Sequence, residues 1–141
     1  MTMNIGAVIA QGLLGLIFSV FGLNMLVFFL GITDSPPIKL PPMHGEAGEF
    51  MGLLVKSRFQ LFVKILEVTG GMLLLVSFGL HRYAPVAVVI LGPIAVSIFL
   101  FHILFLPFDK RVFMPIVLLA CLGVLVARYW SHFQGIFDPH S

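Results

Sequence analysis

The sequence predicts an all-α, polytopic membrane protein, a bundle of four transmembrane helices with a long proline-rich first loop. Three observations predict this class. Of the 141 residues, 60% are hydrophobic and only 10% are charged, whereas a soluble domain needs about a quarter of its residues charged. Four apolar runs each approach or exceed the roughly 20 residues that cross a bilayer. These runs are continuous and do not alternate in ten-residue segments, which excludes a β-barrel.

The first span is predicted over residues 5–32, where only a few polar residues interrupt the apolar run. The residues before it lack the basic region of a signal peptide, so we expect no cleavage. Small residues recur along this span at three- and four-residue spacing, which lets another helix approach closely. They are Gly12, Gly15, Ser19 and Gly22, and Gly70 and Gly71 do the same for the second span.

A polar stretch follows, from residue 33 to about residue 59, and two proline pairs at 36–37 and 41–42 exclude helix there. Beyond the prolines, acidic residues precede Phe50, Met51, Leu53 and Leu54. This pattern predicts a short amphipathic helix over residues 46–55, either at the interface or as a re-entrant cap. Connections of this length tend to be functional or disordered, and the apolar residues here favour packing.

The second and third spans are predicted at residues 59–80 and 83–106, separated only by His81 and Arg82. So short a connection makes them antiparallel neighbours. The fourth span is predicted at residues 112–129, with Tyr129 and Trp130 in the interfacial aromatic belt. All four spans are expected to form one domain, residues 1–141.

The basic residues near the span ends predict the orientation. The first and third loops lie on one side, and more of the basic residues are found there than on the other side. The side of the first and third loops has Lys39, Lys56, Arg58, Lys110 and Arg111, and the other side has Arg82 and Arg128. By the positive-inside rule, we expect the first and third loops in the cytoplasm and both termini outside.

Several functional classes are disfavoured by the sequence. The net charge of +2 is too small and too scattered for a nucleic-acid partner. The single cysteine, Cys121, forms no intramolecular disulfide and runs no thiol exchange. The common hydrolase, phosphate-binding, zinc-protease and dinucleotide motifs are missing from the sequence, so an enzyme acting alone is not expected. Neither haem nor a metal is expected, because His102 lacks intramembrane partners of the right type.

The membrane spans nevertheless contain polar residues that need an explanation. Lys64 and Glu67 lie in the second span, where one charged side chain costs roughly 2.5–3.5 kcal/mol. They are three residues apart and can pair. Gln60 falls in the same sector of the helix as this pair. Counting helical rise from the side of the first loop puts Asn24 at a depth similar to that of Glu67, and His102 somewhat nearer the loop. The sequence therefore predicts one polar layer.

Two interpretations of this layer stay open. In the structural one, the polar side chains satisfy one another as hydrogen bonds between helices, each worth around 0.6 kcal/mol. In the functional one, they line a pocket beneath the proline-rich loop and bind the polar head of a membrane-soluble ligand such as a quinone, or relay a proton with it. The candidate ligand-binding residues are Asn24, Gln60, Lys64, Glu67 and His102.

Between residues 18 and 106, short motifs recur in an order that resembles the DoxX-like family of small four-helix membrane proteins. The motifs are Gly22-Leu23-Asn24-Met25-Leu26, Pro41-Pro42-Met43, Phe50-Met51, Lys64-x-x-Glu67-x-x-Gly70-Gly71, Ala84-Pro85-Val86-Ala87, Gly92-Pro93-Ile94 and Phe101-His102. The resemblance implies a bundle in the cytoplasmic membrane of a bacterium, as a component of an oxidoreductase system. The family takes its name from a small subunit of a thiosulfate:quinone oxidoreductase. Similar eukaryotic proteins act as membrane chaperones or cargo receptors.

Two functional hypotheses follow. The first is an accessory subunit of a membrane oxidoreductase that binds a quinone-like or other lipid-soluble ligand in the polar layer. The second is a non-enzymatic membrane assembly factor, chaperone or partner-binding protein, whose partner surface is the small-residue stripe together with the proline-rich loop. The expected partners are membrane lipid, other membrane or oxidoreductase subunits, and a second copy of the chain.

Overall fold

The computed structural model describes residues 4–138, and within these residues the chain is all-α. The helices are α1 (Ile5–Phe29), α2 (Gly45–Lys56), α3 (Phe59–Val76), α4 (Ala84–Phe105), α5 (Phe113–Arg128) and α6 (Trp130–Phe137). Short 3-10 turns, His81–Tyr83 and Lys110–Val112, lead into α4 and α5. Helices α1, α3, α4 and α5 are long and apolar enough to cross a membrane. The protein is therefore a polytopic membrane protein, and the predicted four spans are confirmed.

The first and second spans are shorter than predicted, because apolar residues continue past the helix ends. Helix α1 stops at Phe29, where Gly31 adopts a positive φ of 72°. The amides of Gly31 and Ile32 donate to the carbonyls of Phe28 and Val27, at 3.0 and 2.9 Å. These two bonds form a Schellman cap, which satisfies the last carbonyls of the helix. Hydropathy alone does not mark such a cap.

The four membrane helices are arranged in chain order around the bundle. Each packs mainly against two neighbours, in the pairs α1 with α3, α3 with α4, α4 with α5 and α5 with α1. The bundle has a loop end and a terminal end. The loop end carries the proline-rich first loop, α2 and the connection between α4 and α5. The terminal end carries the start of α1, the turn between α3 and α4, and α6.

The core contains one fully buried leucine from each membrane helix, Leu14, Leu74, Leu91 and Leu125. Many other large apolar side chains point outward, as in Phe62, which is 57% exposed. Such exposure suits a bundle whose solvent is lipid, because apolar surface need not be hidden there.

Helices α1 and α3 approach each other through a seam of small residues. A Cβ atom added at Gly71 would lie 2.6 Å from Ser19 Oγ and 2.8 Å from its backbone nitrogen. At Gly22 an added Cβ would lie 2.8 Å from Val68 Cγ2, and at Gly15 it would lie 3.2 Å from the Gly71 carbonyl oxygen. Real Cβ atoms essentially never come as close as the shortest of these distances, and the neighbours of Gly71 include backbone atoms, so the seam requires glycine at position 71.

The remaining predicted small residues have different neighbours. A Cβ at Gly70 would lie 2.6 Å from two carbon atoms of Leu91, so this glycine admits α4 rather than α1. A Cβ at Gly12 would meet only the ring of Phe78, at 3.7 Å. The stripe on α1 is thus occupied by α3 of the same chain.

Helix α2 forms where the amphipathic helix was predicted. Phe50 stacks on Phe101 and Phe105 of α4, with ring centroids 5.7 and 5.4 Å apart. The chain then turns into α3 through Arg58, whose φ of 58° lies in the left-handed region.

Two features at the terminal end differ from the prediction. Helix α6 was not predicted. Tyr129 was expected in the interfacial belt, but it is only 7% exposed. That expectation is wrong, because the Tyr129 hydroxyl turns inward and donates a hydrogen bond to Gln11 Oε1 at 3.3 Å.

Candidate functional site

The loop end contains a buried ion pair on α3. Lys64 Nζ lies 3.0 Å from Glu67 Oε1 and 2.9 Å from Oε2. The two side chains are 17% and 3% exposed. Their spacing of three residues places both on one face of α3. Pairing lets them occupy the membrane as a neutral unit, which lowers the cost of burying two separate charges.

The position of this pair follows from the small-residue seam. A Cβ at Gly22 of α1 would lie 3.3 Å from the Cβ of Glu67, so Glu67 sits in the seam where α1 and α3 pack closely. Lys64 is one turn nearer the loop end and reaches back to the carboxylate.

Asn24 anchors the proline-rich loop rather than the ion pair. Its Nδ2 donates to the carbonyl of Ile38 at 3.0 Å, and its Oδ1 accepts from the Ile38 amide at 2.6 Å. Asn24 is 5% exposed. Its side chain therefore uses both functional groups of its amide on one residue of the loop.

Gln60 belongs to the first turn of α3 and contacts α2. Its Nε2 is 3.7 Å from the Sδ of Met51 on α2. Its Oε1 is buried and has no hydrogen-bond partner among residues 4–138. Of the five predicted residues, Gln60 is the one with an unused buried acceptor.

His102 is bonded within its own helix. Its Nδ1 lies 2.8 Å from the carbonyl oxygen of Ile98. A carbonyl oxygen only accepts, so Nδ1 carries the proton in this contact. The ring also meets Phe101 edge-on, with centroids 5.5 Å apart.

The structure thus brings Lys64 and Glu67 together and gives the other predicted residues separate partners. In the structural interpretation these polar side chains bond to one another. Asn24 and His102 bond to backbone groups instead. A role of the five residues in ligand binding stays a prediction.

An apolar cleft of about 300 Å³ lies beneath the proline-rich loop, between α1 and α2. It is lined by Met25, Pro36, Ile38, Leu40, Met43, Gly48 and Met51. Its volume is at the lower end of the range for small-molecule sites. The three methionines are unbranched and polarizable, so they adapt to ligands of differing shape.

The cleft is close to the polar residues of α3. Met51 lines it and contacts Gln60. Met25 lies three residues beyond Gly22 on α1, whereas Lys64 lies three residues before Glu67 on antiparallel α3. Because Gly22 and Glu67 are in register, Met25 and Lys64 lie at a similar depth.

A second polar cluster, at the terminal end, was not predicted. Gln11 Nε2 donates to Ser77 Oγ at 2.7 Å and to the Leu74 carbonyl at 3.0 Å. Ser77 Oγ donates to the same carbonyl at 2.6 Å, and Tyr129 donates to Gln11 Oε1. The cluster ties α1, α3 and α5 together. The one signal in the sequence was Gln11, a polar residue isolated in the first span.

Within the described part of the chain, no group of three or more His, Cys, Asp or Glu residues could hold a metal ion. Comparison of the chain with protein-family models, with curated proteins and with solved structures gives no match.

Proposed function

We propose that the loop end of the bundle binds the head group of a quinone-like lipid, and that the protein serves as an accessory subunit of a membrane oxidoreductase system. The observation that carries this proposal is the buried Lys64–Glu67 ion pair, which lies at the same end of the bundle as an apolar cleft. Ionisable residues inside membrane helices are rare and mark ligand or proton pathways.

In this proposal the cleft and the polar face of α3 bind different parts of the ligand. The methionine- and proline-lined cleft takes the ring and the start of the isoprenoid tail, because its lining is apolar. Lys64 Nζ and Gln60 Nε2 donate hydrogen bonds to the ring oxygens, and Glu67 holds the Lys64 ammonium in place. Asn24 positions Ile38, which lines the cleft. His102 contacts Phe101 of α4, whose ring stacks on Phe50 of α2.

The resemblance of the sequence to the DoxX-like family supports an oxidoreductase role and a location in the cytoplasmic membrane of a bacterium. The basic residues of the first and third loops favour the loop end at the cytoplasmic face. The proposed partners are membrane lipid and other subunits of the oxidoreductase, with a second copy of the chain as a further candidate.

A second candidate function is membrane assembly or partner binding. The exposed Ile38 and Leu40 in the proline-rich loop favour it, since they are 44% and 55% exposed. The small-residue stripe of α1 no longer supports it, because α3 of the same chain occupies that stripe. A partner would therefore have to dock on the loop.

The test is native mass spectrometry of the gently solubilised protein, with solvent extraction of the bound lipids. The wild type is compared with Glu67→Gln and with Glu49→Gln, which alters an exposed carboxylate on α2. We expect a stoichiometric quinone in the wild type and in Glu49→Gln, and its loss in Glu67→Gln. Helical circular dichroism and a single symmetric gel-filtration peak establish that each variant is folded.

A wild-type protein that carries no quinone and takes up none when it is supplied would contradict the proposal. Recovery of a stable complex with another membrane protein, unaffected by Glu67→Gln, would favour the assembly function instead.

A further inference from the structure

The outer surface of the four membrane helices is almost wholly apolar, and its polar exceptions lie on two neighbouring helices. Within the described membrane helices, the exposed uncharged polar side chains are Thr69 on α3 and Ser97 on α4. Helix α4 also belongs to the least buried span, in which 17% of the most apolar stretch is buried, against 28% or more in the other three. The polar residues of α1 are all buried, namely Gln11, Ser19 and Asn24.

Pro93 adds a backbone acceptor to the same side of the bundle. It lies inside α4 and has no N–H, so the carbonyl of Val89, four residues earlier, receives no helical hydrogen bond. Val89 is 58% exposed, and Pro93 is exposed as well. Ser97 does not supply the missing bond, because its Oγ donates to the Pro93 carbonyl at 2.7 Å. Hydrocarbon offers no water to the Val89 carbonyl, so this acceptor requires a donor from protein.

Thr69 carries a donor at about the same depth. Gly71 faces α1 and Gly70 faces Leu91 of α4, so at roughly 100° per residue Thr69 is turned away from α1, on the outer side of α3 next to α4. A Cβ at Gly70 would lie 2.6 Å from Leu91, which places these two residues at one depth. Thr69 is the neighbour of Gly70, and the Val89 carbonyl points along α4 toward the level of Leu91.

The hydroxyl of Thr69 is free to change its partner. Its Oγ1 donates to the carbonyl of Ile65 at 2.7 Å. That carbonyl also accepts the helical hydrogen bond from the Thr69 N–H, so it keeps a partner when the hydroxyl turns away. One side of the bundle therefore offers a spare donor on α3 and a spare acceptor on α4.

We propose that a second copy of this chain packs against this side, with α3 of each copy against α4 of the other, and that Thr69 Oγ1 of each copy donates to the Val89 carbonyl of the other. Both copies insert in the same orientation, because they carry the same basic residues. Their two-fold axis is then parallel to the membrane normal, so each residue meets residues at its own depth. Rotation about that axis places α3 opposite α4 of the second copy, which is the pairing that donor and acceptor require.

The size of the expected effect follows from the symmetry. A two-fold interface contains each contact twice, so one substitution removes two hydrogen bonds from the dimer. Hydrogen bonds between membrane helices are individually weak, and the loss of two is expected to weaken dimerisation roughly tenfold. This inference goes beyond the proposed function and does not depend on quinone binding.

The experiment measures energy transfer between copies of the full chain that carry donor or acceptor fluorophores on an added C-terminal tag. The copies are reconstituted in liposomes over a range of protein-to-lipid mole fractions. Thr69→Val keeps the β-branched shape and removes the donor, and Pro93→Ala restores the N–H that Val89 lacks. The double variant completes the cycle. Ser97→Ala is the matched control, because it removes the other exposed hydroxyl, which is bonded within its own helix.

We expect a dimer in the wild type, with the same dissociation constant in Ser97→Ala. Thr69→Val and Pro93→Ala are each expected to raise that constant roughly tenfold, and the double variant to raise it no further, because both changes remove the same bond. Helical circular dichroism establishes that each variant is folded.

A wild type that stays monomeric at every mole fraction would overturn the inference. Unchanged dimerisation in Thr69→Val would also overturn it, and so would a further tenfold loss in the double variant, because the hydroxyl would then act on a group other than the Val89 carbonyl. Quinone retention tests the proposed function separately, and none of these variants is expected to change it.

Discussion

The two ends of the bundle hold their buried polar side chains in different ways. At the terminal end, the hydrogen-bonding groups of Gln11 meet uncharged partners on two other helices. At the loop end, Lys64 and Glu67 bring charge into the membrane, and the Gln60 oxygen lacks a partner within residues 4–138. A satisfied cluster stabilises the packing of helices, whereas an unsatisfied one costs about 1–3 kcal/mol per group. The cluster at the terminal end ties three helices together, and the proposed function assigns ligand binding to the loop end.

The largest expected effect comes from splitting the ion pair. Lys64→Met leaves the Glu67 carboxylate buried without its partner, which costs about 3–5 kcal/mol. Replacing both residues, as Lys64→Met with Glu67→Leu, removes the charges together and is expected to recover most of that loss. The measurement is the free energy of unfolding in mixed detergent micelles. Lys56→Met, at the exposed end of α2, is the control.

If the double variant were as unstable as the single one, the ion pair would be a stabilising element, and the contrast between the two ends would disappear. If the double variant is stable and binds no quinone, the pair is retained for binding.

A smaller effect is expected at the terminal end. Gln11→Met removes three hydrogen bonds at about 0.6 kcal/mol each, a loss of about 2 kcal/mol in the free energy of unfolding. Because Gln11 is remote from the cleft, the affinity for the quinone of the proposed function is expected to stay unchanged at low temperature. Gln134→Met, on the exposed surface of α6, serves as the control. A lowered affinity with unchanged stability would show that the two ends do not divide their roles as described.

The smallest loss of stability is expected for Asn24, which ties the proline-rich loop to α1. Asn24→Leu removes both hydrogen bonds to Ile38 and costs about 1 kcal/mol. We expect faster hydrogen exchange over residues 36–43 with unchanged exchange in α3, and a weaker affinity for the ligand. Asn4→Leu, which alters the cap of α1 at the other end, is the control. Unchanged exchange in the loop would mean that other contacts hold it.

Helical periodicity and spacing were sufficient for the features that lie within one helix. The pairing of Lys64 with Glu67 follows from their three-residue spacing, and α2 follows from its acidic start and apolar face. Depth along the helices also placed Asn24 and His102 at the loop end. Spacing could not reveal that Asn24 bonds to the backbone of the loop, because the path of a loop is set by closure in three dimensions.

The same limit applies to the terminal end. Ser77 and Tyr129 are 66 and 118 positions away from Gln11 in the chain, and the three residues meet only when three helices close the bundle. Tyr129 follows a basic residue and precedes a tryptophan, a pattern typical of the membrane interface, and its inward position depends on Gln11. Helix α6 has no apolar run long enough to be distinguished from the end of the fourth span.

The turn between α2 and α3 sets how deep the ion pair lies in the bilayer. Glycine adopts a left-handed conformation without strain, whereas Arg58 does so at a cost of about 1–2 kcal/mol. A long cationic side chain such as that of Arg58 is expected to keep its charged head at the boundary between hydrocarbon and water. With a rise of 1.5 Å per residue, Lys64 then lies about 9 Å and Glu67 about 13 Å below that boundary. We therefore expect Arg58 to mark the depth of the ion pair below the head-group layer, because the rise of α3 sets the distance between them.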